Sequence, residues 1–373
     1  MRNGLGIALA GLAALAVAMG IGRFAFTPLL PMMQQDAGLS VAAGGWLASA
    51  NYVGYLAGAL WAGAARVDAA TAIRAGLAGT GAATLAMAYD GGLAYWALLR
   101  AAAGVTSAWV LIHTSAWCLE RLAPLNRPIL PGVLFTGVGA GVAAAGLLCV
   151  VLMASHLRSS TAWLALGLVA AAMTALLWRV FDDRRGQGAA TAAPHRWTRE
   201  QARLVVAYGT YGFGYIIPAT FLPVMAKEIV SDPAVFGWAW PAFGTAAALS
   251  TLGVSLIAGR FGNRASWVGC HLVMAFGVAA PVLWPGLGGI VLAAVCVGGT
   301  FVVMTMVGLQ VAREVAGGQA PRLMAAMTAA FAVGQIAGPP SVSLFAGAGG
   351  GFSGALLVAC GALLVGAVLL LKR

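Results

Sequence analysis

The chain has 373 residues, 61% of them hydrophobic and only 8% charged, with a formal net charge of +11. A soluble globular domain carries about 25% charged residues, so this chain lacks the charge to cover a water-facing surface. With a mean hydropathy of +0.91 it is expected to be an integral membrane protein, and its repeated apolar stretches favour spanning helices over a β-barrel, whose strands would alternate polar and apolar.

Breaks at charges, Pro/Gly clusters and polar loops predict twelve helices over roughly 4–33, 41–64, 70–89, 92–119, 128–154, 160–181, 201–227, 235–259, 264–284, 286–314, 321–346 and 350–371. The first could be mistaken for a secretion signal, because Arg2 precedes an apolar run and Ala16-Val17-Ala18 imitates a cleavage site. A repeat argues against that reading. At an offset of 192, Gly20, Gly22, Leu30, Pro31, Met33, Gly45 and Trp46 fall on Gly212, Gly214, Leu222, Pro223, Met225, Gly237 and Trp238. Residues 1–22 therefore have a mid-chain counterpart and form a first span. Between the sixth and seventh helices, DDRRGQGAATAAPHRWTRE (182–200) is the most polar segment. Residues 1–181 and 201–373 are thus expected to be two six-helix bundles in the same orientation, joined by a cytoplasmic linker.

With a cytoplasmic N-terminus, seventeen Lys and Arg residues fall in inner loops and termini, and only Arg158 and Lys227 in outer loops. This positive-inside bias places both termini in the cytoplasm. It also accounts for the net charge without a nucleic-acid partner. Cys118, Cys149, Cys270, Cys296 and Cys360 fall in apolar stretches without a CxxC pair, so they are read as packing residues.

Arg23 and Arg100 are left within spans, and every Asp and Glu lies in a loop or at a helix end. An Arg at span depth costs at least ~2.5 kcal/mol and needs a partner or a wet cavity. Two readings are open for each: a positive cavity suited to an anionic or strongly polar solute, or a brace for carbonyls freed by nearby glycines and prolines. Gly104, Ser107, Leu111 and Thr114 share the face of Arg100, whereas His113 points away from it. In the second helix Ala50, Gly54, Gly58 and Ala62 make a small-residue ridge beside the polar pair Asn51 and Tyr55. In the seventh, Tyr208, Tyr211 and Tyr215 share a face, and Tyr215 is the repeat counterpart of Arg23. The candidate solute contacts are Arg23, Thr27, Asn51, Tyr55, Arg100, Ser107, Tyr211, Tyr215, Gln310 and Gln335. Arg100, His113 and Asp36 are candidates for coupling. The glycines of GVGAGVAAAG (137–146) and GQIAGPP (334–340) would let backbones approach and helices bend.

MGIGRFAFTPLLPMM, ASANYVGYLAGAL, YGFGYIIPATFLPVMA and FGWAWPAFGTAAALST resemble the YbfB/YjiJ-type branch of the major facilitator superfamily across essentially the whole chain. LLRAAAG is similar to the superfamily's helix-four R-x-x-x-G pattern, AGRFGNR (258–264) to its Gly/Arg-rich loop motif, and GQIAGPP to its helix-eleven motif. The loop AGAARVDAATAIRAG departs from the usual D-R-x-G-R run, and the fifth helix lacks a G-P pair. The resemblance implies an all-α polytopic membrane protein with a major-facilitator fold, twelve transmembrane helices in two six-helix bundles, and alternating access between them.

The expected function is secondary active or facilitative transport of a small organic solute, anionic or zwitterionic, with multidrug or metabolite efflux as the alternative within the fold. From other classes, a non-transporting receptor or scaffold lacks a long soluble segment here, and a membrane transferase lacks a nucleophile or metal constellation. The expected partners are the solute and the lipid bilayer, with no cofactor or metal, a proton as the possible coupling ion, a monomeric state and a bacterial inner-membrane location.

Overall fold

The computed structural model describes residues 4–64, 67–181, 197–227, 233–346 and 352–371. Most of the expected linker, 182–196, lies outside the described residues, as do Arg2, Arg66, Arg184, Arg185, Arg196, Lys372 and Arg373 of the inner-loop charge count.

Twelve helical rods occupy the described residues, and each end lies within four residues of its expected place. In the first half they are α1 (Gly4–Asp36), α2 (Val41–Ala64), α3 (Ala69–Ala86), α4 (Gly92–Leu122), α5 (Ile129–Ala154) and α6 (Ser159–Leu177). In the second they are α7 (Arg199–Lys227), α8 (Pro233–Phe261), α9 (Asn263–Leu283), α10 (Leu287–Ala316), α11 (Ala320–Ala346) and α12 (Ser353–Leu371). Among the described residues, seven stretches are by themselves long and apolar enough to cross a bilayer, one of which, Leu287–Gly338, runs through α10 and into α11.

The packing partners repeat at a step of six helices. α2 packs on α4, α3 on α4 and α6, and α1 on α5; correspondingly α8 packs on α10, α9 on α10 and α12, and α7 on α11. The two most extensive contacts between the halves among the described residues, α5 with α8 and α2 with α11, are also equivalent at that step. Trp46 and its repeat counterpart Trp238 are both exposed on the outer surface, among residues such as Leu98 and Leu176.

In lipid, apolar side chains gain little by moving inward, so close packing through small residues has to hold helices together. The α2 ridge does this against α4. A methyl group on Gly54 or Gly58 would lie 2.0 Å from the Ala101 carbonyl oxygen or 2.5 Å from that of Val105. α5 uses two faces of GVGAG: Gly137 and Gly141 meet Leu12 and Ala16 of α1, while Gly139 meets Gly244 and Ala248 of α8. One helix therefore seats closely on its own half and on the opposite one.

The first span departs from the uniform α-helix expected over 4–33. Its middle, Ala16–Phe24, is a nine-residue π-helix. The sequence AVAMGIGRF is small-residue-rich there, and Gly20 lies directly on the backbone of Gly141 while Gly22 faces Thr80. Widening the helix at this level places Arg23 at the centre of the molecule. π-Helical turns often mark functional sites.

Candidate functional site

The π segment gives way to α-helix just past Phe24, and Pro28 has no N–H to return to an upstream carbonyl. Pro28 thereby deprives one carbonyl at this junction of a helical donor, and carbonyls here take donors from outside the helix. Arg100, reaching over from α4, supplies two: its Nη1 donates to the Gly22 carbonyl at 3.0 Å and its Nη2 to the Arg23 carbonyl at 3.1 Å. Its guanidinium also lies 4.7 Å from the Phe26 ring centroid. Asn51 fixes the other end of this contact, donating from Nδ2 to the Arg100 carbonyl at 2.9 Å. Of the two readings open for Arg100, this geometry is that of the brace.

Arg23 is arranged differently. Its side chain is 3% exposed and its guanidinium lies 3.8 Å from the centroid of the Tyr55 ring, with Tyr52 and Phe331 farther out. Nη2 donates to Oε1 of Gln335 on α11, while Nε and Nη1 have no hydrogen-bond acceptor. Gln335 Nε2 in turn donates to the Tyr215 hydroxyl at 3.0 Å. Arg23 and its repeat counterpart Tyr215 thus meet through one amide contributed by the second half. Tyr211 stands one turn away, donating its hydroxyl to the Phe301 carbonyl at 2.5 Å.

These side chains enclose a space of about 20 Å³, room for about one water. Arg23, Tyr55 and Met19 line it from the first half and Tyr211, Tyr215 and Phe331 from the second. No carboxylate is among its lining residues.

The other candidates do not assemble here. Thr27 faces outward. Ser107 bonds the carbonyl of Gly104 on its own helix. Gln310 borders a separate recess beside Arg127 and Arg313, near the helix ends. His113 packs edge-on against Trp109, away from the cavity. Asp36 accepts from the Ser159 backbone N–H and hydroxyl at the start of α6, fastening the end of α1 to that helix.

The family described as "Uncharacterised MFS-type transporter YbfB" matches residues 15–371, nearly the whole chain. The chain belongs to this YbfB-type family of major-facilitator transporters. Two solved structures share the fold. One is the human organic anion transporter MFSD10 (TETRAN), with a TM-score of 0.76 at 14% identity, covering 99% of this chain and 100% of that one. The other is the major-facilitator transporter FucP in its outward conformation, with a TM-score of 0.76 at 15% identity, covering 99% of each chain. No curated protein matches the sequence.

Membership of the YbfB-type family makes the chain a multi-pass membrane transporter of small molecules rather than an enzyme. The family brings no cofactor. The two loop segments compared with superfamily motifs make local polar contacts. Asp68 caps α3 by accepting the Thr71 N–H at 2.9 Å. In AGRFGNR, Asn263 bonds Glu314 at 2.6 Å and Arg264 pairs with Glu200 at 2.8 Å.

Sequence reading missed Tyr52, Phe24, Phe301, Thr305 and Phe331 around Arg23. Phe331 lies four residues before Gln335, and Phe301 four before Thr305. Following the helical face of the candidate Gln335 would have found Phe331, whereas no candidate pointed to Phe301.

Proposed function

We propose that the chain is a secondary transporter, active or facilitative, that moves a small anionic or zwitterionic organic solute by alternating access around Arg23. The observation that carries this reading is a buried guanidinium with two unpartnered nitrogens, facing a carboxylate-free cavity between the halves. A desolvated cation is costly unless something answers it, and a solute carboxylate would do so. The likeness in fold to an organic anion transporter agrees with an anionic solute.

In this reading residues 1–181 and 201–373 move as two bundles around the cavity, with 182–200 as their cytoplasmic linker. The repeated packing partners support the division. The closed cavity has no room for a solute, so binding requires the α5–α8 and α2–α11 contacts to part on one side at a time. The protein is a monomer of the bacterial inner membrane with both termini cytoplasmic, an orientation that the charge bias of the loops supports.

A thermal-shift screen of the purified protein against anionic and zwitterionic metabolites tests this reading, followed by flux of the stabilising compounds in proteoliposomes. Wild-type protein should carry at least one of them, and Arg23→Ala should be inserted and folded yet inactive. Wild-type flux in Arg23→Ala would remove Arg23 from the site.

A further inference from the structure

We propose that the solute is a monocarboxylate with a flat aromatic body; this rests on the reading of Arg23 as its cation. The charge count comes from the lining. Arg23 is the only Lys, Arg or His among the described lining residues, and Arg100, which is not one of them, gives both terminal nitrogens to backbone carbonyls. A second carboxylate on the solute would be buried without a cation, and an ammonium group would face Arg23 with no acid to offset it.

The body follows from the walls. Tyr215 stacks on Phe301 at 5.7 Å and 7°, and on Phe331 at 5.5 Å and 15°. Phe24 of α1 closes edge-on against Phe301 of α10 at 5.8 Å, and Arg23 lies 5.8 Å from Phe331 of α11. Opening the cavity takes Phe24 and Arg23 away from the two rings of the second half. A planar aromatic acid replaces both lost contacts at once, its ring in the place Phe24 held against Phe301 and its carboxylate on Arg23, beside Phe331. A sugar or other polyol carries no charge to answer Arg23.

Isothermal titration of the full-length protein in nanodiscs tests this with five probes: benzoate, cinnamate, cyclohexanecarboxylate, succinate and benzylamine. At least one of the two aromatic acids should bind tenfold or more tighter than succinate or benzylamine. Arg23→Gln should weaken that acid by about 10- to 100-fold, the scale of one charge-assisted hydrogen bond. Phe331→Leu keeps the charge and most of the apolar volume. It should weaken the aromatic acid by roughly 3- to 10-fold and leave cyclohexanecarboxylate unchanged. Tighter, Arg23-dependent binding of succinate would overturn the solute class while keeping the site. Binding that Arg23→Gln leaves intact would overturn the site as well. Preference for benzylamine, or no heat from either aromatic acid at millimolar concentration, would overturn the proposal.

Discussion

Two arginines of the same depth serve different ends because of what stands opposite each. Arg100 meets two backbone carbonyls at the π-to-α junction, and Arg23 meets ring faces and a single amide. A desolvated cation over an aromatic ring gains about 2 kcal/mol, and a hydrogen bond to a charged group about 1.5–3 kcal/mol. Together these offset the insertion cost of Arg23 while leaving two of its nitrogens free. Replacing the amide by a carboxylate should reveal that balance. Gln335→Glu is expected to raise the melting temperature, since the buried cation gains a counter-charge, and to lower anion affinity at least tenfold, since the same nitrogens are then engaged. Differential scanning fluorimetry and titration with the best ligand read both effects. Unchanged affinity would mean that the solute does not use Arg23. Depth and polarity of these residues were legible in the sequence; their partners were not. Gln310 and Gln335 looked alike as lone amides in spans, and only packing separates the helix-end recess of one from the Arg23–Tyr215 bridge of the other.

At the scale of the element, α1 shows why span ends were readable and span interiors were not. Ends are set by charge, proline and glycine along the chain itself. A π-helix is set by what the helix leans on, here the backbone of Gly141 against Gly20 and the guanidinium of Arg100 at its far end. Arg100→Met keeps an unbranched apolar stem and removes both donors. It should destabilise the protein by about 3–6 kcal/mol, twice the value of one charged hydrogen bond, seen as loss of the monodisperse peak in size-exclusion chromatography or a sharp fall in melting temperature. Gly141→Val places carbon where the closest atoms of Ala16 and Gly20 are 2.6–2.9 Å from even the first added atom. Overpacking of this kind costs about 1–3 kcal/mol. Gly45→Ala is the control, because nothing lies within 4 Å of the added methyl; its melting temperature should match or slightly exceed that of the wild type. Equal melting of Gly141→Val and Gly45→Ala would show that the α1–α5 contact is not close-packed.

At the scale of the molecule, the internal repeat was legible because glycine, proline and tryptophan recur at one offset, and the repeated packing partners have the same origin. What the linear pattern could not carry is that α5 and α8 approach through Gly139 and Gly244, since contacts between halves leave no periodic mark. The α2–α11 contact offers a test of movement. A Cβ built on Gly63 lies 3.2 Å from Cβ of Ala325, close enough for a disulfide between the halves. The Gly63→Cys, Ala325→Cys pair should lose transport on oxidation and regain it with dithiothreitol, with each single variant insensitive. Flux that continues through the cross-linked protein would contradict separation of the halves at this level.

The account stands most directly on flux through Arg23. Reconstituted into liposomes, the wild type should carry the acid that binds it most tightly with saturable kinetics. The Arg23→Gln variant, inserted to the same level and still folded, should fall to the rate of protein-free vesicles. Equal saturable flux in the two proteins would contradict the assignment of Arg23 as the solute-binding cation.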